Sequence, residues 1–357
     1  MNQEYIPATL PLNKDIETKV VLKKVVSANR ALAELKGAVK SIPNQSILIN
    51  VLSLQEAKDS SEIENIVTTH DELYRASIND TNVSNNAKEV QRYKEALCVG
   101  FELIQENQLL LKKHIIEIQQ VLENNDAGIR TQSGTVLKNE KTGEVIYTPP
   151  QNHQEIQDLM DNLEQYINTT EMDDYDYLVK MAVIHYQFES IHPFYDGNGR
   201  TGRIINILFL MMYKLLDLPI LYLSSYIIDN KNDYYRLLND VRTKKSWEEW
   251  ILYMLDGVET TSRQSIKLIA SINEIMQSVK QSLKEELPKI YSKDLLELLF
   301  KHPYTKIGFL VDELKITRKT GTSYLRAIEK TEILKSVKVG RDIYFINTQL
   351  FNLLQKG

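Results

Sequence analysis

Cysteine is almost absent: Cys98 is the single one in 357 residues. One thiol excludes an internal disulfide framework and fits a reducing compartment. Its flanks, Ala96-Leu97 and Val99, read as a buried helix face rather than a reactive site. Long apolar runs are missing too. The most apolar stretch, Ile204 to Tyr213, is interrupted by Asn206 and falls short of the ~20 residues a membrane span requires. It reads instead as a helix buried on all sides. Met1-Asn2-Gln3-Glu4-Tyr5 shows no basic region followed by an apolar stretch, so no signal peptide is expected and the expected location is cytoplasmic. There is no internal repeat and no low-complexity tract. His114, His153, His185 and His302 lack metal-ligand spacing and Cys partners, which points to structural or surface roles.

What is present is an ordinary globular composition, 43% hydrophobic and 25% charged, over a length that suggests two or three domains. Net charge is −5 but uneven. From Lys289 onward there are 13 Lys and Arg against 7 Asp and Glu, a net +6, which leaves −11 on the rest. A basic tail on an acidic body implies a separate partner for the tail.

Apolar spacing predicts helices for most of the chain. Val20, Val21, Val25, Ala28, Leu32 and Leu35 form one, stopping near Gly37; Leu48 to Thr69 and Ala87 to Glu106 follow. Val136 to Tyr147, with a polar turn at Asn139 to Gly143, reads as a β-hairpin, and Thr148-Pro149-Pro150 breaks the chain after it. A connecting helix is expected from Glu259 to near Pro288. The remainder fits a winged helix-turn-helix: helices at Asp294 to Phe300, Ile307 to Leu314 and Arg318 to Lys330, then a wing of Leu334 to Val339 and Asp342 to Asn347 turning at Gly340-Arg341. The expected fold is mainly α, with two small hairpins. The expected units are 1–108, 109–258, a linker at 259–288, and 289–357.

The chemistry concentrates in Ile191-His192-Pro193-Phe194-Tyr195-Asp196-Gly197-Asn198-Gly199-Arg200-Thr201-Gly202-Arg203, a helix, a tight loop and a helix. Gly197 and Gly199 let the chain turn sharply and let a ligand approach the backbone. Successive N–H groups at the next helix N-terminus make an anion site. Arg200 and Arg203, three apart, share a helix face and can reach phosphate oxygens. Asp196 offers a hard oxygen suited to Mg²⁺, and His192 can take a proton at neutral pH. Phe194 offers no chemistry and should plug the core. Together these are the parts that transfer from a nucleoside triphosphate requires.

This segment resembles the signature of the Fic family, His-Pro-Phe-x-(Asp/Glu)-Gly-Asn-Gly-Arg-x-x-Arg, at every specified position. The resemblance implies a Fic-type helical bundle with a hairpin flap, covering about Leu10 to Val258, with which a C-terminal winged helix is compatible. It implies His192 as base, Asp196 as Mg²⁺ ligand, Asn198 as an orienter of phosphate, and Arg200 and Arg203 on the outer phosphates. ATP contacts are expected from His192 through Arg200, from Arg203 and from Asn230. Relatives that move a terminal phosphate usually carry Lys in place of the second Gly. Gly199 therefore favours attack at the α-phosphorus, with pyrophosphate leaving and AMP passing to a Ser, Thr or Tyr of a target protein or of the chain itself. Upstream, Ser60, Glu64 and Asn65 resemble the family's inhibitory-helix motif, Ser/Thr-x-x-x-Glu-Gly/Asn, which implies that Glu64 pairs with Arg203 and excludes the γ-phosphate. The hairpin resembles the flap that holds a target segment. Ser224 to Asn230 with Tyr234 and Tyr235 resembles the adenosine side, and Tyr234 is equally consistent with adenine stacking or core packing. Trp247 and Trp250 read as packing residues. Two other readings stand beside adenylyl transfer: a hydrolase that uses Glu64 to remove AMP, and a nucleotide-sensing DNA-binding regulator using Arg318, Lys319, Thr320, Thr322 and Ser323. A homodimer, or a protein partner for the winged helix, is compatible with the same sequence.

Overall fold

The structure, a computed structural model, describes residues 4–76, 83–138, 143, 145–339 and 342–356. Helices dominate it. α1 (Lys19–Ala38) begins where Thr18 Oγ1 accepts the Val21 N–H, and it buries Val21, Val25, Ala28, Leu32 and Leu35 at helical spacing. α2 (Gln45–Ile63) is capped by Asn44, whose side-chain oxygen accepts the Ser46 N–H. The sequence pattern carries this helix on to Thr69. It ends at Ile63 because Asn65 takes φ 63°, a left-handed conformation that asparagine tolerates. α3 (His70–Ala76), α4 (Asn85–Asn107) and α5 (Lys112–Glu123) follow.

A short antiparallel pair, β1 (Leu137–Lys138) and β2 (Val145–Tyr147), sets Leu137 opposite Tyr147. Most of its expected turn, 139–142, lies outside the described residues. α6 (His153–Asn168), α7 (Tyr177–Ile191), α8 (Asn198–Met212), α9 (Ser224–Asp229) and α10 (Lys231–Lys244) complete the central bundle. α8 is its axis: every residue from Arg200 to Met211 is buried, so this helix has no solvent face and fixes whatever stands at its N-terminus.

α11 (Trp247–Glu286) spans the position near residue 258 where core and connecting helix were expected to meet. No break separates core from linker; a single helix of 40 residues runs through both. Gly257 does not interrupt it, because the Leu223 and Tyr226 side chains pack where its Cβ would stand. α1 lies along α11, joined by Lys24 and Ser27 to Glu259 at 2.8 and 2.7 Å.

The C-terminal part is a winged helix: α12 (Lys293–Lys301), β3 (Tyr304–Lys306), α13 (Ile307–Leu314), α14 (Arg318–Glu329), β4 (Leu334–Val339), β5 (Asp342–Asn347) and α15 (Thr348–Lys356). The sequence reading lacked β3 and α15. The three strands run β3-β5-β4, all antiparallel, and the wing tip at 340–341 lies outside the described residues. The module docks on the N-terminal helices: Tyr304 stacks on Tyr74 at 5.5 Å, Phe351 packs edge-on against both rings, and Asn44 donates to Glu297 at 3.0 Å. α14 turns Arg318, Lys319 and Ser323 to solvent. No helix among the described residues is long and apolar enough to cross a membrane.

Candidate active site

α7 ends at Ile191, and His192 caps it in a left-handed conformation, φ 49° and ψ 59°, with its N–H on the Phe188 carbonyl. That reversal begins the loop. Phe194 then plugs the core, fully buried and 6.2 Å from Phe188. Gly197, φ 76°, turns the chain into α8, whose first N–H groups have no partner within the helix.

Asn198 is clipped to the loop itself. Its side-chain oxygen accepts the Phe194 N–H, and its side-chain nitrogen donates to the Phe194 carbonyl, each at 2.9 Å. The side chain of the expected orienter of phosphate thus holds the shape of the loop. Asn198→Ala should strand two buried main-chain groups and cost about 1–3 kcal/mol, read by urea unfolding. Asn198→Asp keeps the acceptor but sets a carboxylate oxygen against the Phe194 carbonyl, so it should not restore the loss.

The two arginines are both occupied. Arg203, fully buried, donates through Nε to Ser60 Oγ at 2.8 Å, and through one terminal nitrogen to the Ser60 carbonyl at 2.9 Å and to Glu64 at 2.8 Å. α2 thus delivers Ser60 and Glu64 to the N-terminus of α8, and a Cβ on Gly199 would meet the Glu64 carboxylate. Burial raises the Glu64 pKa, but Arg203, with Arg200 and Lys231 behind it, brings the carboxyl below its usual value. Arg200 is equally buried, with its terminal nitrogens on Glu89 at 2.7 Å and Glu123 at 2.8 Å. Neither carboxylate was foreseen; each reaches Arg200 from a helix remote in sequence.

Arg130 was also missed. Its N–H donates to the Pro193 carbonyl at 2.9 Å and its Nε to the His192 carbonyl at 2.9 Å, so it braces the loop from behind. Burial first, then the charges of Arg130 and Arg242, push the His192 imidazole down to about 4. His192 is therefore neutral at physiological pH, the form a proton acceptor requires. One helical turn earlier, buried Glu189 is pushed up to about 7 by desolvation, with Arg203 and Arg242 opposing and Glu64 adding to the shift.

Tyr195 stands at the surface, and its hydroxyl accepts the Thr131 N–H at 2.9 Å. Asp196 is the most open carboxylate of the loop, 79% exposed, with one oxygen on the Gly197 N–H at 2.7 Å. An exposed hard oxygen beside a helix N-terminus fits Mg²⁺. Among the described residues no group of three His, Cys, Asp or Glu forms a cation cage, so protein ligation alone would be sparse.

Asn230 caps α9, its amide on the Tyr226 carbonyl at 2.9 Å, and the next residue, Lys231, reaches Asn65 at 3.2 Å. Tyr234 is resolved as core: it is fully buried, with its hydroxyl 2.8 Å from His185 Nε2, and is unavailable to stack on adenine. His185 in turn meets Asn206 and lies parallel to Trp250, a structural role. Trp250 donates to the Ala182 carbonyl, and Trp247 packs on Tyr186. A surface cleft lined by Pro11, Asp15, Asp173 and Tyr175 among others contains none of the loop residues.

The helical scaffold and the tight loop between two buried helices define a fold of Fic type. The chain belongs to the Fic/DOC family. Its residues 22–102 match the family's N-terminal model and residues 109–210 the Fic/DOC model, together more than half the chain. Residues 275–350 match the model described as protein adenylyltransferase SoFic-like, C-terminal domain. Among solved structures, it is similar to a Fic family protein from Desulfovibrio desulfuricans, with 18% identity, TM-score 0.58, and 92% of this chain and 96% of that one covered. A Fic domain-containing signaling protein from Bacteroides thetaiotaomicron matches at 18% identity and TM-score 0.52, covering 71% of this chain and 97% of that one. Fic-1 from C. elegans matches at 17% and 0.53, covering 70% and 73%. At such identities these likenesses show the fold.

Proposed function

We propose that this chain transfers AMP from ATP to a hydroxyl side chain of a target protein, and that Glu64 restrains it. The observation that carries the reading is the Glu64 carboxylate seated against Gly199 and Arg203 at the start of α8. A carboxylate already lies where the helix terminus and an arginine favour an anion, so the site takes negative charge and its occupant competes with phosphate.

The hydroxyl oxygen bonds to the α-phosphorus as the bond to the β-phosphate oxygen breaks, and pyrophosphate leaves. His192 takes the hydroxyl proton. Main-chain N–H groups of Asn198 to Arg200 receive phosphate oxygens, and Arg203 holds the outermost one once Glu64 has left it. Asp196 would hold Mg²⁺, which supplies neutralisation of phosphate charge when bound. The hairpin would hold the target segment by strand addition. Incubation with α-labelled ATP and magnesium, followed by peptide mass spectrometry, tests this directly. AMP on a Ser, Thr or Tyr of a target or of the chain itself is the expected result; labelled protein that never appears, even from Glu64→Gly, overturns it.

The pH dependence follows from His192. The acid limb of kcat/KM reports the free protein, so it should fall near pH 4 rather than near 6.5. Glu64 raises the His192 value, so Glu64→Gly should move the limb lower, not higher. A limb near 6.5 would assign proton transfer elsewhere.

The winged helix takes a separate partner in this reading. With α14 facing outward and a net charge of +6 from Lys289 onward, that partner is polyanionic, with duplex DNA the natural candidate. Binding should weaken steeply with salt and weaken further in Arg318→Ala with Lys319→Ala. No binding at low salt by the folded chain would leave a protein as the partner.

A further inference from the structure

The last turn of α5 holds the loop at two points, and nothing in the chemistry above uses it. Gln119, almost fully buried, donates from Nε2 to the Asp196 carbonyl at 3.2 Å. One helical turn later, Glu123 accepts from Arg200 at 2.8 Å, and its carboxylate lies where a Cβ on Gly197 would stand. The two residues are four apart and share a helix face, so one rigid element meets both sides of the turn at Gly197. α4 backs it: Glu89 takes the other terminal nitrogen of Arg200 at 2.7 Å, and Arg92 donates to the Leu122 carbonyl at 3.2 Å.

We propose that Glu123, with Gln119, is a positioning residue for the reaction: acting through Arg200 and Gly197, it holds the loop from Asp196 to Arg200 in its working shape. This rests on the adenylyl-transfer reading.

A second brake, like Glu64, is the competing role, and burial decides between them. Glu64 ends its helix with its side chain one-third exposed and can leave Arg203 without moving α2. Glu123 is only 10% exposed, and the side chain of Arg200 only 3%. Releasing Arg200 would also strand a buried guanidinium, so the triad is built to stay closed. Each terminal nitrogen of Arg200 already holds a carboxylate, which favours Arg203 for the outer phosphate. A loop misplaced by a fraction of an ångström leaves binding largely intact but spoils the alignment on which transfer depends.

The test uses the full chain carrying Glu64→Gly, with Glu123→Gln or Gln119→Leu added. Transfer from α-labelled ATP is measured alongside affinity for a fluorescent non-hydrolysable ATP analogue, thermal midpoint, and hydrogen exchange of the 196–200 amides. The expected result is kcat down roughly tenfold, KM for ATP and analogue affinity within about threefold, and faster exchange confined to the loop. Unchanged kcat, or a rise in kcat, overturns the inference, the latter making Glu123 a brake. A loss that lies wholly in ATP affinity also overturns it, by making Arg200 a phosphate ligand. If Glu123→Gln fails to fold, Gln119→Leu, which removes no charge, decides alone. A Glu64→Gly parent with no transfer sinks the adenylyl-transfer reading, while the exchange measurement still judges the loop.

Discussion

His192→Ala is expected to lower AMP transfer by roughly a hundred- to ten-thousand-fold while the protein still binds ATP. The two functions are physically separate in this site. On the proposed reading, nucleotide would be held by the N-terminus of α8 and by Arg203, whereas His192, at the end of the preceding helix, would meet the attacking hydroxyl. Its place is fixed by the end of α7 and by Arg130, which binds the carbonyls of both His192 and Pro193. Truncation to alanine leaves those main-chain bonds intact, so the loop should survive the change. Transfer is best compared in a Glu64→Gly background, where nucleotide has access, with the fluorescent analogue reporting affinity. Near-normal turnover would remove His192 from its role; lost affinity would make it a nucleotide ligand instead.

What the sequence made legible was local. The thirteen residues from Ile191 to Arg203 carry base, carboxylate, glycines and arginines in one run, so reading them required no long-range contact. The winged helix was legible for the same reason, since its helices and wing follow one another at short intervals. Ser60 and Glu64 were found through resemblance to a spaced motif, and the structure sets both against Arg203. The residues that brace the site were not legible. Glu89, Glu123, Gln119 and Arg130 look like ordinary helix or loop residues, and their partners lie between 62 and 111 positions away. Tertiary packing also settled what local pattern left open. Gly257 did not end a helix because side chains fill the space beside it, and Tyr234 became core because His185 meets its hydroxyl. At Asn198 the structure adds a contact that the motif alone did not give. An amide can serve phosphate, yet here both its ends are taken by Phe194.

Glu64→Gly should raise AMP transfer at least tenfold. In the wild type, Arg203 is shared among Ser60 Oγ, the Ser60 carbonyl and Glu64, and its neighbourhood holds it more firmly protonated than usual. An arginine so occupied cannot clamp the γ-phosphate, and the Glu64 carboxylate beside Gly199 repels any phosphate that approaches. On the proposed reading, ATP would then bind with its triphosphate displaced and its α-phosphorus out of line with the hydroxyl. Each tenfold loss of the competent state needs only about 1.4 kcal/mol, which a one-third exposed, hydrogen-bonded ion pair can supply. Glycine removes the carboxylate but leaves both Ser60 contacts, so Arg203 keeps its position and gains a free edge. Arg203→Ala should be poor with or without Glu64, because the clamp itself is gone. The double variant therefore separates restraint from catalysis: it should match Arg203→Ala rather than Glu64→Gly. Transfer from α-labelled ATP is measured for the wild type, both single variants and the double variant. If Glu64→Gly is no faster than the wild type on any acceptor, including itself, Glu64 is not the restraint. If it instead loses an activity that removes AMP from modified protein, Glu64 works on water, and the pair with Arg203 holds it ready for hydrolysis.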